Sequence, residues 1–319
     1  MITPKYLNKG DTIGTTACSC GVLEKIDKYE KSNKNIKSLG FDILETPNVR
    51  TSGIVSSDPT TRAKELESLY KDSNVKAIAI TSGGDFLIDM LDKVNYDVIR
   101  NNIKWLCGSS DPTSLLYTVT TNLDIATIYS PCNMSGFSSD NLHESYLNYF
   151  EILKGNLVKQ NRYPFYESDD DIFDKENKWV NINGDVDETG TLIGGCIESL
   201  KDVIGTRFDK TNSFLEKYKD TIWYFDVFSM QPEDLYRTLI QFKMAGWFRY
   251  TKAIIIGKVR FPSSFLNLSY EKMIKKALPN MKVIYNFDVG HVKPSMTMIN
   301  GFKVRVISND NEGSLEYLK

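Results

Sequence analysis

Three residues of this chain fit one chemistry, the attack of a serine on an amide: Ser110, Asp226 and His291. Ser110 lies in Trp105-Leu106-Cys107-Gly108-Ser109-Ser110-Asp111-Pro112-Thr113. An apolar run enters this stretch, small residues turn it, and Ser114-Leu115-Leu116-Tyr117-Thr118-Val119 leaves it with helical spacing. Asp111 reads as an N-cap and Pro112 as the first helical residue. A serine between strand and helix points its hydroxyl off the sheet edge, beside free N–H groups that suit an oxyanion. This is the logic of a nucleophile elbow without the G-x-S-x-G signature. Ser109 is the next candidate.

His291 stands in Gly290-His291-Val292-Lys293-Pro294, on a predicted loop after a strand. It reads either as an exposed loop histidine or as a base that takes the serine proton near neutral pH. Asp226 is a lone acid among Trp223, Tyr224, Phe225, Val227 and Phe228. Burying it unpaired is costly, so it must end a strand or meet a partner, as a structural acid or as the orienter of a histidine. Backbone N–H groups of Gly84 and Asp111 are candidates for an oxyanion hole, each worth about 3 kcal/mol in comparable sites. The other histidine, His143, falls inside a predicted helix and reads as surface or packing.

The elements that must position these residues are legible in order. Strands are predicted at 11–17, 41–44, 75–80, 103–107 and 126–129. Helices are predicted at 22–39, 60–70 (capped by Asp58, with Pro59 first), about 86–92, after Pro112, and at about 140–153. Alternation of strand and helix predicts a parallel sheet, with ligands beyond the carboxyl ends of its strands. The turns at Gly83-Gly84, Ser109-Ser110 and Ser130-Pro131-Cys132-Asn133 should share that edge. The predicted fold class is α/β: an N-terminal parallel-sheet domain, 1–155, carrying the elbow, a crossing segment, 156–190, and a β-rich C-terminal domain, 191–319, carrying acid and histidine. In the last, strands are predicted at 221–228, 253–257, 283–288, 296–299 and 303–307, and a helix at 232–246. Trp179 and the aromatics near Phe165 either line a pocket or pack.

Composition excludes several classes. With 319 residues, 41% hydrophobic and 25% charged, the chain reads as globular. A net charge of −2 gives no reason to expect nucleic acid or an anionic membrane as partner. No apolar run approaches the roughly 20 residues of a bilayer span. The N-terminus lacks the apolar core of a signal peptide, which points to the cytoplasm. Five scattered cysteines suggest no disulfide framework, and Cys18-Ser19-Cys20 lacks the second pair a zinc site needs.

Several short motifs in order resemble one family, the serine LD-carboxypeptidases of murein recycling together with the microcin C immunity hydrolases. They are Leu7-Asn8-Lys9-Gly10-Asp11-Thr12-Ile13-Gly14, Ser82-Gly83-Gly84-Asp85, Asn95-Tyr96-Asp97-Val98-Ile99, Gly108-Ser109-Ser110-Asp111, Gly194-Gly195 and Gly290-His291-Val292. The resemblance spans nearly the whole chain. It implies a metal-free hydrolase with no cofactor, a homodimer, and a small peptide or peptidyl substrate whose terminal D-amino acid is released. The alternatives are an immunity-type hydrolase of an aminoacyl-nucleotide, and an impaired member that only binds peptides.

Three departures from the family pattern stand out. Asp226 replaces the usual Glu, an alignment fixed by Arg237 in the next helix. One methylene less implies a shortfall of about 1.5 Å toward His291, or a backbone that compensates. Cys196 replaces the Asn after the paired glycines, and Pro112 replaces an aliphatic residue.

Overall fold

The computed structural model describes residues 1–130, 134–169 and 172–318. The chain forms two compact units, Met1–Asn156 with Thr297–Ile299, and Leu157–Met296 with Asn300–Lys319.

The first unit is built on β1 (Thr12–Thr16), β2 (Asp42–Glu45), β3 (Val75–Ile80), β4 (Trp105–Gly108) and β5 (Thr127–Tyr129). They pair in parallel in the order β2-β1-β3-β4-β5, and a short strand from late in the chain, Met298–Asn300, joins beside β5. Parallel strands covered on both faces read as apolar runs. Accordingly, all four residues of β4 and five of the six in β3 are buried. The helices are α1 (Ile26–Ser38), α2 (Pro59–Lys71), α3 (Tyr96–Asn101), α4 (Thr113–Leu123) and α5 (Glu144–Leu153). Asp58 caps α2 through the N–H groups of Thr60 and Thr61, with Pro59 first, as its local sequence predicts.

Three local expectations are corrected. The segment 86–92 forms only a 3-10 turn, Ile88–Met90. His143 is not inside a helix but caps α5, its Nδ1 accepting the Ser145 N–H at 3.1 Å. Asp111 does not cap α4, which starts after Pro112 without a side-chain cap. The expected turn at Pro131-Cys132-Asn133 lies outside the described residues, as do Asp170 and Asp171 of the acidic run.

The second unit contains β6 (Gln160–Asn161), β7 (Phe165–Asp169), β8 (Ile172–Glu176), β9 (Val180–Ile182), β10 (Val186–Cys196), β11 (Thr221–Asp226), β12 (Thr251–Gly257) and β13 (Val283–Phe287). The late strand Met298–Asn300 is β14, followed by β15 (Lys303–Ser308) and β16 (Gly313–Tyr317). Eight strands form one sheet, β6-β16-β15-β10-β11-β12-β13-β9, while β7 and β8 pair as a separate antiparallel ribbon. The unit is β-rich, yet its centre, β10 to β13, is parallel. Crossovers there carry α6 (Ile197–Val203), α7 (Thr211–Lys217), α8 (Pro232–Met244) and α9 (Tyr270–Ala277). Its core is aromatic: Trp223 stacks on Trp247 at 5.3 Å, and Phe225 and Phe242 pack around them. Each such buried ring contributes about 2–3 kcal/mol. Trp179 belongs to packing, buried and stacked on Phe287 at 4.0 Å. No described helix is long and apolar enough to cross a membrane.

Candidate active site

In the first unit the chain leaves β4 at Gly108 and enters α4 at Thr113. Ser110 occupies the turn with φ of +66°. A side-chain-bearing residue in that left-handed region costs roughly 1–2 kcal/mol and persists only when its surroundings fix it. Its N–H donates to the Tyr129 hydroxyl at 3.0 Å, and its carbonyl accepts from Thr113 N–H at 2.9 Å. The Gly83 turn lies against it: a Cβ at Gly83 would fall 2.8 Å from the Ser110 Cβ.

The Asp111 carboxylate is spent on tying two turns together. Oδ2 accepts from the Ser19 hydroxyl at 2.6 Å and from Leu87 N–H at 2.9 Å. Burial pushes this carboxyl above its ordinary range, and those two donors hold it back. Gly84, with φ of +146°, passes so close that a Cβ would lie 2.3 Å from Ser19 Oγ. Among the described residues no acceptor takes the N–H of Gly84 or of Asp111. Those N–H groups are thus available to a developing oxyanion.

In the second unit Asp226 and His291 come together. Asp226 is fully buried as the last residue of β11, and its Oδ2 lies 2.7 Å from His291 Nδ1. Its Oδ1 accepts the backbone N–H of His291 at 3.1 Å. The shorter acid therefore reaches the histidine without the expected shortfall. What allows this is Gly290: φ is +109°, and a Cβ there would lie 1.9 Å from Asp226 Oδ1. Any other residue would push the loop away. Burial disfavours the charged imidazole, but the Asp226 carboxylate 2.7 Å away outweighs it, and His291 is held above its ordinary value. The side chain stays 21% exposed.

Sequence reasoning missed the groups that hold this pair. Glu198 Oε1 accepts from the N–H groups of Phe228, Ser229 and Met230, at 3.0 to 3.1 Å, fixing the turn after Asp226. The Cys196 thiol donates to Glu198 Oε2 at 3.2 Å, the use this chain makes of its cysteine after the paired glycines. The turn lays the Phe228 ring 4.6 Å from the His291 ring. Asp288 anchors the His291 loop. Its Oδ1 accepts from Lys258 Nζ at 2.6 Å and Asn177 Nδ2 at 2.7 Å. Its Oδ2 accepts from Tyr163 N–H and Trp179 Nε1 at 3.1 Å. A second acid ending an apolar strand, Phe287-Asp288, was the available signal. Cys18, Cys20, Cys107 and Cys196 are in no disulfide, and burial pushes Cys18 and Cys107 up to about 12; Cys132 lies outside the described residues.

The chain is similar to known proteins over its whole length. The microcin C7 self-immunity protein MccF of Escherichia coli is 24% identical over 93% of this chain and 90% of its own. The crystal structure of an MccF-like protein from Bacillus anthracis superposes with a TM-score of 0.85 at 25% identity, covering 100% of both chains. Muramoyltetrapeptide carboxypeptidase from Oxalobacter formigenes shares the fold, with a TM-score of 0.78 at 18% identity over 97% of this chain and 99% of its own. Residues 13–130 match the LD-carboxypeptidase N-terminal domain and residues 189–306 the LD-carboxypeptidase C-terminal domain, so the chain belongs to the S66 family of peptidases.

Proposed function

We propose that this peptidase is a serine LD-carboxypeptidase that releases the terminal D-amino acid from a murein peptide. The observation that carries the reading is the Asp226–His291 pair, with Nδ1 fixed at 2.7 Å from the carboxylate. With Nδ1 so engaged, Nε2 is the nitrogen left to accept a proton. Ser110 Oγ attacks the carbonyl carbon of the L,D-amide as His291 takes its proton. The oxyanion is met by the N–H groups of Gly84 and Asp111. The C–N bond breaks as His291 returns the proton to the leaving amine. Water, deprotonated by His291, then hydrolyses the acyl-enzyme and restores Ser110. Asp226 keeps the tautomer and stabilises the imidazolium without becoming protonated.

The test is mass spectrometry of a murein tetrapeptide incubated with the purified protein and with Ser110→Ala. Loss of one D-alanine with wild type only is expected. Cleavage by the Ser110→Ala variant would overturn the nucleophile and leave Ser109 as its successor. A second reading, hydrolysis of an aminoacyl-nucleotide, is supported by the similarity to E. coli MccF. Cleavage of an aminoacyl sulfamoyl adenosine, with the tetrapeptide intact, would select it. Cytoplasmic location and a homodimer remain part of the proposal; gel filtration tests the latter.

A further inference from the structure

A carboxypeptidase must recognise the end of its substrate, and a terminal carboxylate is best met by a cation held in place before binding. In the second unit, Arg260 has that arrangement. Its Nη1 donates to Glu167 Oε1 at 3.0 Å, and Glu167 is 1% exposed while Arg260 is 33% exposed. The same Glu167 oxygen accepts the backbone N–H of Lys293 at 3.0 Å, two residues past His291. One buried carboxylate thus links the guanidinium to the loop of the proposed catalytic histidine.

The backbone of Arg260 is fixed from the other side. Its N–H donates to the Val227 carbonyl at 3.2 Å, and Phe261 N–H donates to the Phe228 carbonyl at 2.9 Å. Phe261 meets Phe228 edge to face at 5.1 Å, and Phe228 in turn lies 4.6 Å from His291. The guanidinium carbon sits 5.6 Å from the centre of the Phe261 ring, a cation–π contact. Its Nε and Nη2 donors go to no acceptor among the described residues. An arginine has five N–H donors in a planar fork; the three on Nε and Nη2 are spare here, and one from each nitrogen can face a carboxylate side by side. The Arg260 charge also opposes protonation of His291, which places it in electrostatic reach of that ring.

We propose that Arg260, braced by Glu167 and backed by Phe261, binds the terminal carboxylate of the peptide substrate. This rests on the peptide reading above. It makes Arg260 a binding residue that decides between a free peptide end and an internal or blocked one.

The test is calorimetric binding to the Ser110→Ala protein, which cannot turn over substrate. The ligands are a murein tetrapeptide ending in D-alanine, its C-terminal carboxamide, and adenosine monophosphate. The free acid is expected to bind about 10- to 100-fold more tightly than the carboxamide. Arg260→Gln should erase that ratio and Arg260→Lys should recover part of it. A purely structural loss at Glu167 would weaken both peptides equally, so the ratio isolates the carboxylate contact. Equal binding of acid and carboxamide by the arginine protein overturns the assignment and leaves the peptide reading standing. So does an acid preference that survives Arg260→Gln. If adenosine monophosphate is the ligand whose affinity Arg260→Gln removes, the group recognised is a phosphate and the carboxylate assignment fails. Binding of neither peptide overturns the substrate reading and this assignment together.

Discussion

The two units hold the side chains of the proposed mechanism by opposite means. Around Ser110 the backbone itself is strained into the left-handed region, and the contacts that keep it there are mostly neutral: a Tyr129 hydroxyl, a Thr113 N–H and the bare face of Gly83. Around His291 the left-handed residue is a glycine, so no strain is stored, and the clamps are charged: Asp226, Asp288 with Lys258, and Glu167 with Arg260. The difference follows from what each residue does in the proposed mechanism. A serine nucleophile needs only a fixed direction. An imidazole needs a direction, a tautomer and a partner for its positive charge, and carboxylates supply all three.

The sharpest way to break this contrast is at the nucleophile. Ser110→Ala is expected to lower turnover by about ten-thousand- to a million-fold with no loss of fold. Ser110→Gly should be as inactive and yet raise stability by up to about 1 kcal/mol, because glycine relieves the left-handed strain. Activity assays and thermal melting of both variants check this. A destabilised Ser110→Gly would mean the strain is absent.

Next in size is the charged side. Asp226→Asn should cost about ten-thousand-fold in kcat/KM, since it removes the charge and can present the wrong tautomer. The pH profile sharpens the point. His291 must be neutral to accept a proton, so wild-type kcat/KM should rise with pH through a midpoint above the usual imidazole value of about 6.5. In Asp226→Asn that midpoint should move down. Stability carries the same sign. The folded value of His291 lies above its unfolded one, so the pair stabilises the fold below about pH 6.5 and that contribution is lost as pH rises through the folded value. Denaturant midpoints at acid and alkaline pH measure it.

Smaller effects test the supports. Lys258→Met leaves Asp288 fully buried without its cation and should cost about 3–5 kcal/mol of stability. Ser19→Ala, which takes one donor from the buried Asp111, should cost about 1–3 kcal/mol. If the units differ as described, removing the cation of the buried pair costs more than removing one hydroxyl donor from a buried carboxylate. Equal losses in chemical denaturation would remove the contrast.

What could be read from residues alone follows the range of the forces involved. Asp58 and Pro59 announce α2 because a cap is settled within three residues. Val75 to Ile80 announces β3 because a fully buried strand is one apolar run. Asp111 has the look of a cap as well, but Ser19, 92 positions away, claims its carboxylate, and no local pattern carries that. His143 shows the reverse case: a helix read as starting near 140 begins at Glu144, which makes the histidine a cap. The site divides in the same way. Gly-His after a strand and an acid in an apolar strand marked His291 and Asp226, and Gly290 explains how they meet. Glu198, Asp288 and Glu167 act through pairings 30 to 126 positions apart, legible only in three dimensions.

Asp226 stands where the resemblance places a glutamate, and the site is built around the shorter acid. Both of its oxygens already touch His291, at 2.7 and 3.1 Å, and Gly290 is packed against one of them. An added methylene has no room there without moving the loop. The most direct measurement is kcat/KM of Asp226→Glu on the murein tetrapeptide, beside wild type. A fall of about 10- to 100-fold is expected, as for a catalytic group displaced by 1 Å. A gain over wild type would contradict it, and would mean that the shorter acid impairs the enzyme.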